Sequence, residues 1–210
     1  MILRGLLAGL LCLTLGGQER PLLLKAARLL DVRTGKVEAP AQVWVKAGRI
    51  QSGPPPADAE TLDLGDRTLL PGLIDCHTHL LIPAGLGELG YLKRSQGALL
   101  LDGVVNARKV LEAGFTTVRD VGASAAFGDV ALRDAIARGD IPGPRMLVAG
   151  PSLSITGGHG DLNGFPPHLH TDTEHIVDSP DQGRHIVREW RKRGVDLIKI
   201  HDRRRALQPR

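Results

Sequence analysis

The chain has 210 residues, of which 42% are hydrophobic, 24% charged and 3% aromatic, with a formal net charge of +4. That composition excludes the disordered and fibrous classes and is enough for a domain with a substantial core. The positive excess sits in residues 202–210, where four arginines face one aspartate, and no basic stripe with interleaved aromatics precedes it, so no nucleic-acid partner is expected.

Residues 1–17 carry one cation at Arg4, an apolar run from Leu6 to Leu15 and the small pair Gly16-Gly17, followed by polar Gln18-Glu19-Arg20. This is the pattern of a secretory signal peptide, too short to span a bilayer, and export to the periplasm or medium is expected. A retained anchor and a lipoprotein attached through Cys12 are the alternatives, although Leu11 stands where a small residue is wanted before a lipidated cysteine. With the peptide removed, Cys76 is the only remaining thiol and no internal disulfide can form. Residues 21–66 alternate with period two between Gly- and Pro-rich turns: a strand over 22–30, a turn at 33–36, alternating Val43 and Val45, a turn at 47–49, then Leu62 and Leu64. The expectation is a small β-sandwich-like module.

From residue 67 to 201 strand and helix patterns alternate, the sign of an α/β fold with a parallel sheet. Residues 68–80 read as an apolar strand buried on both faces, broken only by Pro71-Gly72. After a glycine-containing loop, residues 98–113 suit an amphipathic helix with Leu101, Val104, Val105 and Val110 as its apolar face and Gly114 as its stop. A strand over 116–121, a helix over 130–137 and a strand over 145–149 follow. Residues 150–182 are too rich in Gly, Pro and His for regular structure, and loops of that length usually have a function. A helix over 183–193 and a fourth strand over 195–200 complete the pattern, and residues 202–210 form a divergent tail without periodicity.

The chemistry concentrates at strand ends. His77 and His79 are one residue apart, so strand alternation points both the same way and lets them grip one metal ion; two surface histidines are the plainer alternative for a bare His-x-His. Asp75 shares their face and is placed to accept a hydrogen bond from an imidazole. Cys76 faces the other way as a packing residue. Lys199 lies in an apolar strand, where an unpaired charge is unfavourable unless it snorkels to solvent. His159, between Gly158 and Gly160, sits where the backbone can approach a ligand closely and is a candidate for orienting substrate, or else a plain loop histidine. Asp120 ends the second barrel-type strand; it reads as support for the site, as a helix N-cap or as a partner for Arg119. His168, His170 and His175 read as exposed, and His201, adjoining the tail, is expected on the face opposite Lys199.

Taken in order, Thr68-Leu69-Leu70-Pro71-Gly72-Leu73-Ile74-Asp75-Cys76-His77-Thr78-His79-Leu80, then Ala113-Gly114-Phe115-Thr116-Thr117-Val118-Arg119-Asp120-Val121-Gly122, then Ser154-Ile155-Thr156-Gly157-Gly158-His159-Gly160-Asp161 resemble the amidohydrolase superfamily, in its imidazolonepropionase-like and prolidase-like branch. The resemblance runs from about residue 22 to residue 200. It implies a (β/α)8 TIM-like barrel of a metal-dependent hydrolase, preceded by the small β module and truncated here after about four strands. It further implies one or two divalent metal ions, with zinc suiting the ligands, held by His77, His79 and Lys199, the lysine being carbamylated; His159 then binds substrate. The implied activity is hydrolysis of an amide, Xaa-Pro-like or cyclic amide carbon–nitrogen bond in a small-molecule or dipeptide-like substrate by a metal-activated water. In the family, histidines of the fifth and sixth strands and a general-base aspartate of the eighth complete the site. None has a counterpart here, so no general base is assigned. The alternatives are a catalytically inactive fragment and a half-enzyme that needs a complementing chain, since open sheet edges invite a second copy or another chain.

Overall fold

The computed structural model describes residues 20–86, 93–123, 127–161 and 174–201, together with residues 90, 163, 166 and 168. The expected signal peptide, Cys12, His170 and the divergent tail lie outside the described residues. The chain divides into two compact units, one ending at Pro71 and the other beginning at Gly72.

The first unit is all β. One sheet has the order β5-β4-β1-β6, from β1 (Leu22–Ala26), β4 (Ala41–Lys46), β5 (Arg49–Gln51) and β6 (Glu60–Asp63); the other has the order β3-β2-β7, from β2 (Arg28–Asp31), β3 (Lys36–Glu38) and β7 (Thr68–Leu69). The single strand expected over 22–30 is thus two. Ala26 pairs with Ala41 in one sheet and Arg28 with Thr68 in the other, while the Ala27 N–H between them donates to the Gly65 carbonyl at 3.0 Å. The bend at Ala27 divides the run, and the buried residues of β1, Leu23 and Ala26, are three apart; the unbroken apolar run in the sequence carries no turn residue to mark it. Both expected turns are present. Asp31 accepts from the Arg33 N–H at 2.9 Å and the Thr34 hydroxyl at 2.6 Å, and Gly35 supplies φ 71°. Ala47 and Gly48 take φ 50° and 67°, the left-handed pair that a two-residue hairpin turn requires.

The second unit alternates β8 (Leu73–Thr78), α1 (Gln96–Glu112), β9 (Phe115–Asp120), α2 (Gly128–Arg138), β10 (Arg145–Val148) and α3 (Pro180–Lys192). Its strands form one parallel sheet in the order β10-β9-β8, each pair joined through a helix, as parallel pairing demands. Ser95 caps α1 through the Ala98 N–H and Ser179 caps α3 through the Gln182 N–H, with Pro180 opening that helix. Gly114, Gly139 and Gly194 end the three helices at φ 96°, 80° and 95°. Leu81, Leu99, Ala107, Val118, Leu132 and Val148 make the main core, and Trp190 anchors α3 against Leu153 and Val195.

Three expectations are corrected. The run over 68–80 is two strands, β7 and β8, separated at Leu70–Gly72; β8 is the last strand of its sheet and is not buried on both faces, since Leu73 and Ile74 are exposed. Of the expected apolar face of α1, Val104 and Val110 pack against the core, but Leu101 and Val105 face solvent and the fully buried positions are Leu99, Gly103 and Ala107; a Cβ on Gly103 would lie only 3.2 Å from Leu81 and 3.3 Å from Leu132. Residues 195–200 do not form a fourth strand. The N–H groups of Asp196 and Leu197 both turn to the Val148 carbonyl, and regular pairing is limited to a parallel bridge between Leu153 and Ile200, since Gly150, at φ 67°, bends the neighbouring chain out of line. Among the described residues, three parallel strands and this bridged segment stay open and no closed barrel forms.

Candidate metal centre

His77 is the penultimate residue of β8 and His79 lies one residue past its end. The pairing of β8 with β9 shifts between Asp75 and Thr78, where three steps on β8 match two on β9. This bulge interrupts strict alternation. The two imidazoles are nonetheless adjacent, with ring centres 5.3 Å apart and planes inclined at 66°. A tetrahedral ion bound at about 2.0–2.1 Å by one nitrogen of each ring would separate the ring centres by roughly 5 Å, so the pair has the spacing of a shared ligand set. Asp75 does not reach an imidazole. Its Oδ1 accepts the backbone N–H of His77 at 2.9 Å and so secures the bulge.

His79 is held from across the sheet. Its Nδ1 lies 3.0 Å from the Gly122 carbonyl, which can only accept, so the proton sits on Nδ1 and Nε2 keeps its lone pair. Gly122 admits this approach because it lacks a side chain: a Cβ there would lie 2.6 Å from Ser152 Oγ and 3.1 Å from the His79 ring. His77 is kept below the usual histidine range by loss of water and then by the positive charges of Lys199, His79 and Arg119. His77 therefore favours the neutral form a metal requires. Among the described residues, no three His, Cys, Asp or Glu side chains gather closely enough to hold an ion. The observed donors fit a divalent ion as two of its ligands.

The remaining expected residues fall nearby. Lys199 is half-buried, its carbonyl accepts from the Leu153 N–H at 2.8 Å, and its charge acts on both His77 and His201. His159 is exposed, and its ring centre lies 4.7 Å from that of His201. His201 was expected to face away from Lys199; instead burial, followed by the charges of His159, Lys199 and His79, lowers it to about 4. The signal was in the sequence: His201 is two residues from Lys199, and alternation puts such residues on one side. His175, expected to be exposed, is half-buried with Nε2 2.9 Å from the Gly160 carbonyl, whereas His168 is exposed as expected. Cys76, expected to pack, is an exposed free thiol. Asp120 is neither a helix cap nor a partner for Arg119, whose Nε donates to the Cys76 carbonyl at 2.7 Å. It is fully buried, and its Oδ2 accepts from the Leu80 N–H at 2.7 Å and from the Thr78 hydroxyl at 3.4 Å.

Residues 68–207 match the amidohydrolase family. Over 152 residues the chain is 31% identical to ochratoxinase of Aspergillus niger, a match covering 63% of this chain and 30% of that protein. Imidazolonepropionase of Geobacillus kaustophilus is 29% identical over 133 residues, covering 51% of this chain and 31% of that one. The crystal structure of a prolidase complexed with N-methylphosphonate-L-proline superposes with a TM-score of 0.73 at 29% identity, over 86% of this chain and 46% of that one. The chain thus spans about a third of the length of these curated relatives and less than half of the solved chain.

Proposed function

Because this chain belongs to the amidohydrolase family, hydrolases of carbon–nitrogen bonds, we propose that His77 and His79 are part of a divalent-metal centre that cleaves an amide, Xaa-Pro-like or cyclic amide bond. The observation that carries the reading is the imidazole pair: rings 5.3 Å apart, with His79 fixed through Nδ1 so that Nε2 is the free donor. A divalent ion held there, zinc being suited to imidazole and carbamate donors, would polarise the scissile carbonyl and bring the pKa of a water to roughly 7. Within this reading Lys199, converted to its carbamate by carbon dioxide, exchanges a cation for anionic oxygen donors beside His77, and His159 with its neighbour His201 serves the substrate. The prolidase and imidazolonepropionase relatives support a small dipeptide-like or cyclic amide substrate. Export directed by residues 1–17 belongs to the same proposal; no described helix is long and apolar enough to cross a membrane.

Metal analysis of the purified chain after equilibration with Zn²⁺ should give one or two bound ions per chain, and replacing His77 and His79 together by alanine should remove them. A wild-type chain that retains no ion overturns the reading.

A second reading, that turnover needs a complementing polypeptide, is favoured by the two-imidazole set, which among the described residues falls short of the three protein ligands of a catalytic site. Amide hydrolysis by the isolated, monomeric chain would dismiss it.

A further inference from the structure

The residues that flank His79 are held by a side chain 40 and 42 positions away, on the neighbouring strand. Asp120, the last residue of β9, accepts the N–H of Leu80 at 2.7 Å and the hydroxyl of Thr78 at 3.4 Å, both on Oδ2. The turn that Asp120 begins is tied to the same segment by the main chain, with the Val121 N–H donating to the Thr78 carbonyl at 3.0 Å. Two residues on, Gly122 presents its carbonyl to His79 Nδ1 at 3.0 Å. Three consecutive residues of one strand end thus fix the backbone on both sides of His79 and the tautomer of its ring. Asp120 is completely buried, and among the described residues its other oxygen, Oδ1, has no hydrogen-bond partner. Burying a carboxyl in this way is unfavourable by itself. Its visible return is the hold on Thr78 and Leu80.

We propose that Asp120 is a positioning residue for the metal ligand His79, locking residues 78 and 80 so that the imidazole meets the Gly122 carbonyl through Nδ1 and offers Nε2 to the ion. The inference rests on the reading of His79 as a ligand. It assigns Asp120 no contact with substrate or metal. What the geometry needs is an accepting oxygen at the Oδ2 position, and the amide of asparagine supplies one.

The test uses the whole chain, labelled at histidine nitrogens, with Zn²⁺ as probe. In the metal-free wild type, heteronuclear NMR should show His79 as a single Nδ1–H tautomer and the Leu80 amide should exchange slowly with solvent. Asp120→Ala should give a mixture of tautomers and weaken Zn²⁺ binding, read by competition with a chromophoric chelator, by roughly 10–100-fold, the usual effect of losing support behind a ligand. Asp120→Asn should restore the single tautomer and bring the affinity within about threefold of wild type, because the accepting oxygen is kept. A folded Asp120→Ala chain with wild-type tautomer and affinity overturns the inference, as does an Nε2–H tautomer in the wild type. Loss of the tautomer in Asp120→Asn also overturns it, and that variant, with the wild-type measurements, decides the matter if Asp120→Ala does not fold. A wild-type chain that binds no Zn²⁺ removes the metal-centre reading, while the tautomer measurements still judge Asp120.

Discussion

Asp120 also leaves a signature in the pH dependence of stability. Burial, reinforced by the nearby charge of Asp129 and opposed by the Leu80 N–H, pushes its carboxyl from 3.8 up to about 7. The folded state therefore holds the proton more tightly than the unfolded state. The stabilisation is complete below about pH 4 and is lost as pH rises through about 7. A difference of some three units corresponds to about 4 kcal/mol across that window. Asp129, also raised by burial, adds a slope of the same sign, whereas His201, lowered to about 4 by burial and neighbouring cations, destabilises the fold as pH falls below the usual histidine range. The contribution of Asp120 is isolated by comparison with Asp120→Asn, which leaves the other two in place. Urea unfolding at a series of pH values should show wild type losing up to about 4 kcal/mol relative to this variant between about pH 4 and pH 7. Parallel curves would mean that Asp120 does not titrate in that range.

At the scale of elements, what could be read from the sequence was the punctuation. The stop Gly114 is expected as such, and the helices expected over 98–113, 130–137 and 183–193 lie within three residues of those bounds, whereas the caps Ser95 and Ser179 and the stops Gly139 and Gly194, equally local signals, were not read. What the sequence did not show depends on partners far along the chain. Leu101 and Val105 look like core residues, yet the helix turns the smaller Gly103 and Ala107 inward, because close approach to Leu81 and Leu132 excludes bulk there. The two faces can be told apart by stability. Leu99→Ala, deleting a side chain that is 3% exposed, should destabilise by about 2–5 kcal/mol. Leu101→Ala, at 69% exposure, should stay within about 0.5 kcal/mol of wild type in the same denaturation series. The candidate site divides in the same way. His77 and His79 announce themselves by spacing, but the Gly122 carbonyl and the Asp120 carboxyl meet them only through the pairing of β8 with β9, which no local pattern records.

At the scale of the whole molecule, the second unit is a sheet whose terminal strand, β8, presents Leu73 and Ile74 at 48% and 66% exposure. An apolar strand at a sheet edge is a template for further pairing. The chain should therefore associate as its concentration rises, and Ile74→Lys should shift it towards monomer in sedimentation experiments without lowering its melting temperature by more than a few degrees. An unchanged distribution would place the association elsewhere. The boundary between units has a different consequence. Among the described pairings β7 meets only β2 and β8 meets only β9, so the apolar run that looks most continuous in the sequence serves two independent registers. Gly72 lies so close to Thr116 that a Cβ would fall 2.1 Å from its hydroxyl, which fixes the seam on the Pro71 side. A hinge or reporter spliced there would interrupt neither the pairing of β7 with β2 nor that of β8 with β9.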